Sequence, residues 1–148
     1  MKVVTTNSKA RRDYEILDKF EAGIELKGTE VKSLRNGSAN INDAYCIIRN
    51  GEIFIENMHI PPYAGGNLFN HDPLRKRKLL MHKREIIRLD SKVDQKGLTI
   101  IPLRVYFNDK GKAKVEIALA RGKHLYDKRE EIAKKEVERT LKKKIKYE

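Results

Sequence analysis

Alternation with a period of two residues dominates this chain. Tyr14, Ile16, Phe20, Ala22, Ile24 and Leu26 share one parity, while Glu15, Lys19, Glu21, Glu25 and Lys27 share the other. That spacing predicts a long half-buried strand, with Leu17 and Asp18 as interruptions and Gly23 as a bend. Thr29 then reads as a helix N-cap, with Glu30 in the first turn and Gly37 just past the end. Val31 and Leu34, three apart, give this short helix an apolar face, and Lys32 and Arg35 lie opposite. Strands are predicted over 44–49 and 52–59, joined by Asn50-Gly51, a dipeptide suited to a tight primed hairpin turn. Residues 60–67 carry turn chemistry and read as a loop. Ile86, Leu89 and Val93 recur at spacings of three and four, predicting a helix over 82–93. The clearest alternations cover 98–107 and 112–120, joined by Asn108-Asp109-Lys110-Gly111. Their expected inward sets are Ile101, Leu103, Val105, Phe107 and Ala113, Val115, Ile117, Leu119.

The sum is a mainly β chain with short helices: five strands, with a helix between the third and fourth. That order matches an OB-type closed antiparallel β-barrel, a fold whose exposed strand face and loops bind oligonucleotides. Another small antiparallel barrel is the alternative. The expected organisation is a basic N-terminal lead-in over 1–12, a barrel over 13–121 and a basic C-terminal tail over 122–148. The tail is mostly Lys, Arg and Glu, too polar to offset its own ordering entropy, so it is expected to be disordered in isolation. Glu130–Lys134, Glu131–Lys135 and Glu138–Lys142 are spaced as favourable helix pairs, each worth ~0.2–0.5 kcal/mol. As a helix, residues 127–148 would reach ~33 Å at a rise of ~1.5 Å per residue.

Charge narrows the partner class. The 148 residues carry a formal net charge of +12, which favours a polyanion, with RNA or DNA ahead of an anionic membrane surface. No apolar run approaches the ~20 residues of a membrane span, so the expectation is a soluble cytoplasmic protein with no membrane partner. Cys46 is the only cysteine, which leaves no internal disulfide and no thiolate cluster. His59, His71, His82 and His124 are scattered without metal-ligand spacing, and Gly65-Gly66 lacks the Lys-Ser/Thr of a phosphate loop. No metal, cofactor or catalysis is expected, although the His71-Asp72 dyad keeps a nuclease-like alternative open.

Lys9, Arg11, Arg12, Lys32 and Arg35 are candidates for neutralising a nucleic-acid backbone. Arg75, Lys76, Arg77 and Lys78, continued by His82, Lys83 and Arg84, form a run with no acidic residue between Asp72 and Glu85. Phosphate contact is expected there. Tyr63, Asn67, Phe69 and His71 could supply a stacking platform, or Tyr63 and Phe69 could plug the barrel's open end. Glu21, on the polar parity, is either a solvated carboxylate or an acceptor for ribose hydroxyls and base-edge donors.

Several segments in order resemble the small protein B family, the SsrA-binding proteins. They are Phe20-Glu21-Ala22-Gly23-Ile24, Gly28-Thr29-Glu30-Val31-Lys32-Ser33-Leu34-Arg35, Asn70-His71-Asp72-Pro73 and Arg77-Lys78-Leu79-Leu80. Lys114-Val115-Glu116-Ile117-Ala118-Leu119-Ala120-Arg121-Gly122-Lys123 and Asp127-Lys128-Arg129 fit as well. The resemblance implies an OB-type barrel that binds the tRNA-like part of transfer-messenger RNA. It implies delivery, with elongation factor Tu, to stalled ribosomes. It also implies a tail that turns helical in the empty mRNA channel near the decoding centre. By the same resemblance Asn7, Glu21, Leu80 and His82 join the RNA-binding set, and Gly122, Lys123, Asp127, Lys128 and Arg129 serve the ribosome. The family commonly has a second Lys where this chain has His124. A general OB-fold translation or ribosome-assembly factor is the alternative reading.

Overall fold

The computed structural model describes residues 1–65 and 70–123, without the side chains of Gln95 and Lys96. It is mainly β, with seven strands and three helices. In chain order these are β1 (Lys2–Thr6), α1 (Ala10–Asp13), β2 (Tyr14–Ile24), α2 (Gly28–Arg35), β3 (Tyr45–Arg49) and β4 (Glu52–Glu56). β5 (Arg77–Leu80), α3 (Lys83–Lys96), β6 (Thr99–Phe107) and β7 (Ala113–Gly122) complete the fold. Neighbouring strands run β6-β3-β4-β5-β2-β7, and β7 pairs again with β6, so the pairing path returns to its start. Among the described residues β1 pairs with β6 alone, outside that ring.

Local signals explain most of these elements. Asn50 and Gly51 both take positive φ, 53° and 78°, and the pair Arg49↔Glu52 flanks them, as a primed two-residue hairpin requires. At the end of α2 the Gly37 N–H donates to Leu34 O and the Ser38 N–H to Ser33 O, with Gly37 at φ +78°. That left-handed turn satisfies carbonyls the helix would otherwise leave open. α3 runs three residues beyond the predicted end, to Gly97 at φ 63°, whose N–H donates to Val93 O. Its Ile86 and Leu89 are buried in the main core, each side chain worth ~1.5–3 kcal/mol of burial.

Several expectations are corrected. Residues 1–12 are more than a lead-in, because Lys2–Thr6 pair with β6 and Ala10–Asp13 form a helical turn. The run Arg75–Lys78 conceals β5, which pairs with β2 and β4. Thr29 is not the N-cap of α2: the helix starts at Gly28, and Glu30 accepts from the Lys27 N–H at 2.7 Å. The parity of two strands also reverses midway. Register shifts lie between Ile16 and Asp18 in β2 and between Pro102 and Arg104 in β6. Each adds one residue to one strand, and one extra residue turns every later side chain to the opposite face.

The two irregularities split the core. Phe20, Ala22, Ile24, Ile100, Val105, Phe107, Val115, Ile117 and Leu119 fill the main core inside the ring. Ile101 and Leu103, expected in that same set, instead join Ala10, Ala118 and Ala120 in a second cluster, with Tyr14 and Ile16 packed against it. Ala10 of α1 belongs to this second cluster, so the helical turn covers what would otherwise be an apolar outer patch. Gly23 stays in strand conformation rather than bending. A Cβ there would meet the Cβ of Leu80 at 3.3 Å, so glycine admits the close approach of β5.

Candidate nucleic-acid interface

The basic run divides by depth. Arg77 is 0% exposed and donates through Nε to Glu30 Oε2 at 2.6 Å, while its other nitrogens donate to the carbonyls of Met58 (2.7 Å) and Pro73 (3.2 Å). Glu30, also 0% exposed, accepts from Arg75 at 2.7 Å as well. Burial pushes the Glu30 carboxyl up, but the Arg75, Lys27 and Arg77 hydrogen bonds outweigh it and hold the group below its ordinary value. The expectation that Arg77 contacts phosphate is therefore corrected: its charge is spent on α2. Arg75 is largely committed to the same carboxylate. Of the remaining pair, Lys78 is held by Glu52 at 2.7 Å, and exposed Lys76 lies over the Phe54 ring at 4.8 Å.

Around this network the loop after β4 is tied to α2. Ser33 donates to Pro61 O at 2.7 Å, and Tyr63 and Asn70 exchange two hydrogen bonds at 2.7–2.8 Å. Buried His71 uses both ring nitrogens, Nε2 toward Ile60 O at 2.7 Å and Nδ1 toward Thr29 Oγ1 at 2.8 Å. A carbonyl can only accept, so Nε2 carries the hydrogen, and in the neutral ring Nδ1 accepts from Thr29. His71 thus braces the loop and has no free lone pair for a metal. Among the described residues no group of three or more His, Cys, Asp or Glu could hold a metal ion. Burial pushes the Cys46 thiol up, away from reactivity. Tyr63 carries Lys32 over its ring at 5.5 Å, and Asn67 and Phe69 lie outside the described residues.

The outward side of β5, β2, β7 and β6 presents a different surface. Cross-strand register places Leu80 beside Gly23, Gly23 beside Lys114, and Lys114 beside Tyr106. One step along, Glu21 pairs with Glu116 and Glu116 with Arg104. The Tyr106 hydroxyl donates to the Glu21 carboxylate, and Arg104 Nε donates to Glu116 at 3.1 Å. Further along, Thr6, Asn7, Arg11, Lys19, Arg104 and Glu116 line one shallow depression. Glu21 therefore sits mid-face, with cations on both sides. Leu80, 48% exposed, ends the face next to the start of α3, where His82, Arg84, Glu85 and Arg88 line a second hollow. Lys83 is exposed in the same first turn.

Other predicted residues are placed as follows. Asn7 is a clamp: its amide nitrogen donates to Pro102 O at 2.9 Å and its oxygen accepts from the Lys9 N–H at 3.1 Å. It pins α1 beside the β6 irregularity and so aims Arg11 and Arg12 outward. Lys9 reaches Asp43 at 3.3 Å and Arg12 reaches Asp13 at 3.0 Å. Gly122 ends β7 opposite Tyr14, and Lys123 donates through its N–H to Asp13 O and through Nζ to Arg11 O. The root of the tail thus leaves from the basic helical turn. Arg35 lies over Phe107 at 4.6 Å and donates to Gly111 O at 3.2 Å, against the hairpin of β6 and β7. His124, Asp127, Lys128 and Arg129 fall outside the described residues.

Lys19, Arg88, Arg104, Tyr106, Lys114 and Glu116, which the structure brings to this face and its margins, were not among the predicted site residues. For Arg104, Tyr106, Lys114 and Glu116 the signal was present, since they hold the polar parity opposite Val105, Phe107, Val115 and Ile117.

Comparison with known proteins identifies the family. Residues 4–147 match the model of the family described as SmpB protein. An SsrA-binding protein of Thermosipho africanus is 59% identical over 141 residues, which cover 95% of each chain. One from Pseudothermotoga lettingae is 60% identical over 147 residues, 99% of each. A solved chain described under "tmRNA-SmpB: a journey to the center of the bacterial ribosome" superposes with a TM-score of 0.71 at 54% identity, over 86% of this chain and 89% of that one. With the family model matched over residues 4–147 and relatives 59% and 60% identical along nearly the whole chain, the chain belongs to the SmpB family.

Proposed function

We propose that this chain binds the tRNA-like domain of transfer-messenger RNA and delivers it to stalled ribosomes for trans-translation, the rescue and peptide tagging of interrupted synthesis. Family membership supports the reading, as do the relatives' name of SsrA-binding protein and the solved relative's pairing of tmRNA and SmpB with the bacterial ribosome. On this chain the carrying observation is the outward face of β5-β2-β7-β6, where acceptor Glu21 lies between Lys19, Arg104 and Lys114. We read the ring as an OB-type closed barrel, a fold that uses such a face for oligonucleotides. Cations around it supply affinity that falls with salt, and the carboxylate supplies choice among RNAs.

In this reading Lys9, Arg11, Arg12, Lys32, Arg35, Lys76, Leu80, His82 and Lys83 join the interface, and Arg77 and Asn7 shape it from within. Gly122, Lys123 and Asp127-Lys128-Arg129 lead a tail into the empty mRNA channel at the decoding centre. Elongation factor Tu meets the chain through the RNA, in the cytoplasm, and the protein's contribution is binding rather than catalysis.

The test compares the full chain with one truncated after Arg129. Filter binding of tRNA-like RNA should be unchanged and peptide tagging lost. Equal loss of both would refute the division between ring and tail. Binding transfer-messenger RNA no better than bulk tRNA would favour a general translation or ribosome-assembly factor instead.

A further inference from the structure

We propose that Tyr106 is a positioning residue for RNA discrimination: its hydroxyl holds the Glu21 carboxylate in the orientation that accepts a hydrogen bond from an unpaired nucleotide. The inference rests on the reading above that Glu21 faces RNA.

Glu21 and Glu116 are directly opposed across β2 and β7. Like charges so placed destabilise a sheet unless something separates them. Here the two carboxylates are given different partners. Glu116 receives the cation Arg104, at 3.1 Å. Glu21 receives a neutral phenol, the Tyr106 hydroxyl. One carboxylate is thereby neutralised, while the other is oriented without losing its negative charge to a salt bridge.

The donor is itself held in place. The Tyr106 ring is buried at 6% exposure, and the Arg104 guanidinium lies over it at 5.2 Å. Burial, then the nearby Glu21 carboxylate, push the Tyr106 hydroxyl up to about 12, so it remains a donor throughout the neutral range. Glu21 is exposed. Left to itself, such a side chain would lose rotamer freedom on binding, and fixing it beforehand removes part of that cost. Tyr106 occupies Oε2, which leaves Oε1 for a ribose hydroxyl or a guanine amino group.

The experiment titrates in-vitro-transcribed tRNA-like RNA and bulk tRNA against the full chain at several salt concentrations. Tyr106→Phe should reduce the ratio of the two affinities about tenfold and leave the salt slope unchanged. The ring and its place under Arg104 are kept, so the melting temperature serves as a check on folding. Glu21→Gln should reduce the same ratio. Adding Tyr106→Phe to Glu21→Gln should cost much less than it does alone, because a residue acting through another is not additive with it. With inosine replacing guanosine in the probe, a surviving Tyr106→Phe penalty assigns the donor to ribose and a lost one to the guanine amino group; either keeps the positioning role. An unchanged ratio for Tyr106→Phe beside a reduced one for Glu21→Gln overturns the inference, as does full additivity. An unchanged ratio for Glu21→Gln overturns the assignment of Glu21 itself.

Discussion

Glu30 and Glu21 lie on consecutive elements, and each faces basic and hydrogen-bonding neighbours, yet they do opposite work. Glu30 is sealed from water and shared by Arg75 and Arg77, so its charge holds α2 to β5. Glu21 lies in the open and takes one hydrogen bond from a neutral phenol. A buried carboxylate between two guanidiniums has no capacity left for a ligand, and breaking the set strands a charge away from water. An exposed carboxylate with one neutral donor stabilises the fold little, and keeps acceptor capacity for a ligand. Burial, rather than charge, separates structure from recognition in this chain.

The contrast is easiest to break at Glu30. Glu30→Ala should lose about 3–5 kcal/mol in urea unfolding, because Arg77 would be left buried and unpaired. Replacing both partners together, Glu30→Leu with Arg77→Met, should cost clearly less than Glu30→Ala alone. Glu21→Ala should stay within about 0.5 kcal/mol in the same assay. Equal midpoints for Glu30→Ala and Glu21→Ala would remove the distinction.

Acid sharpens the comparison with a smaller effect. The folded Glu30 carboxyl lies below its ordinary value of 4.5, so the stability it contributes is fully present above that value. It is lost as pH falls through the depressed folded value. Unfolding followed from about pH 6 to about pH 3 should show a steep acid limb in the natural chain and a shallower one in Glu30→Gln. Identical limbs would mean that Glu30 is not the group responsible.

The smallest effect belongs to the margins of the open face. Lys114→Ala should weaken binding of specific and bulk RNA alike and lower the salt slope by about 1, with stability nearly unchanged. A change in the ratio between the two RNAs, with the slope intact, would make Lys114 a reader of RNA identity rather than a phosphate partner.

Much of this was legible along the chain. The Asn50-Gly51 turn and the Gly37 helix end could be read because positive φ is a property of one or two residues. Lys114 and Glu116 were visible as the polar parity of a strand. β5 was not, because a four-residue strand with two cations gives no periodicity, and Arg77 read as solvent-facing. β1 did carry a signal, since Val3, Val4, Thr5 and Thr6 are all β-branched, but it was passed over because residues 1–12 read as a polar, basic lead-in.

The sequence by itself determined the alternating strands, the turns, the excess of positive charge and the family resemblance, since each depends on neighbours in the chain or on totals. Only the tertiary structure decided which cation is buried, where strand parity reverses and which carboxylate stays free. Arg77 meets Glu30 across 47 positions, and Tyr106 meets Glu21 across 85. Whether a charge is solvated or sealed is fixed by partners at that distance, which only the closed ring of strands brings together.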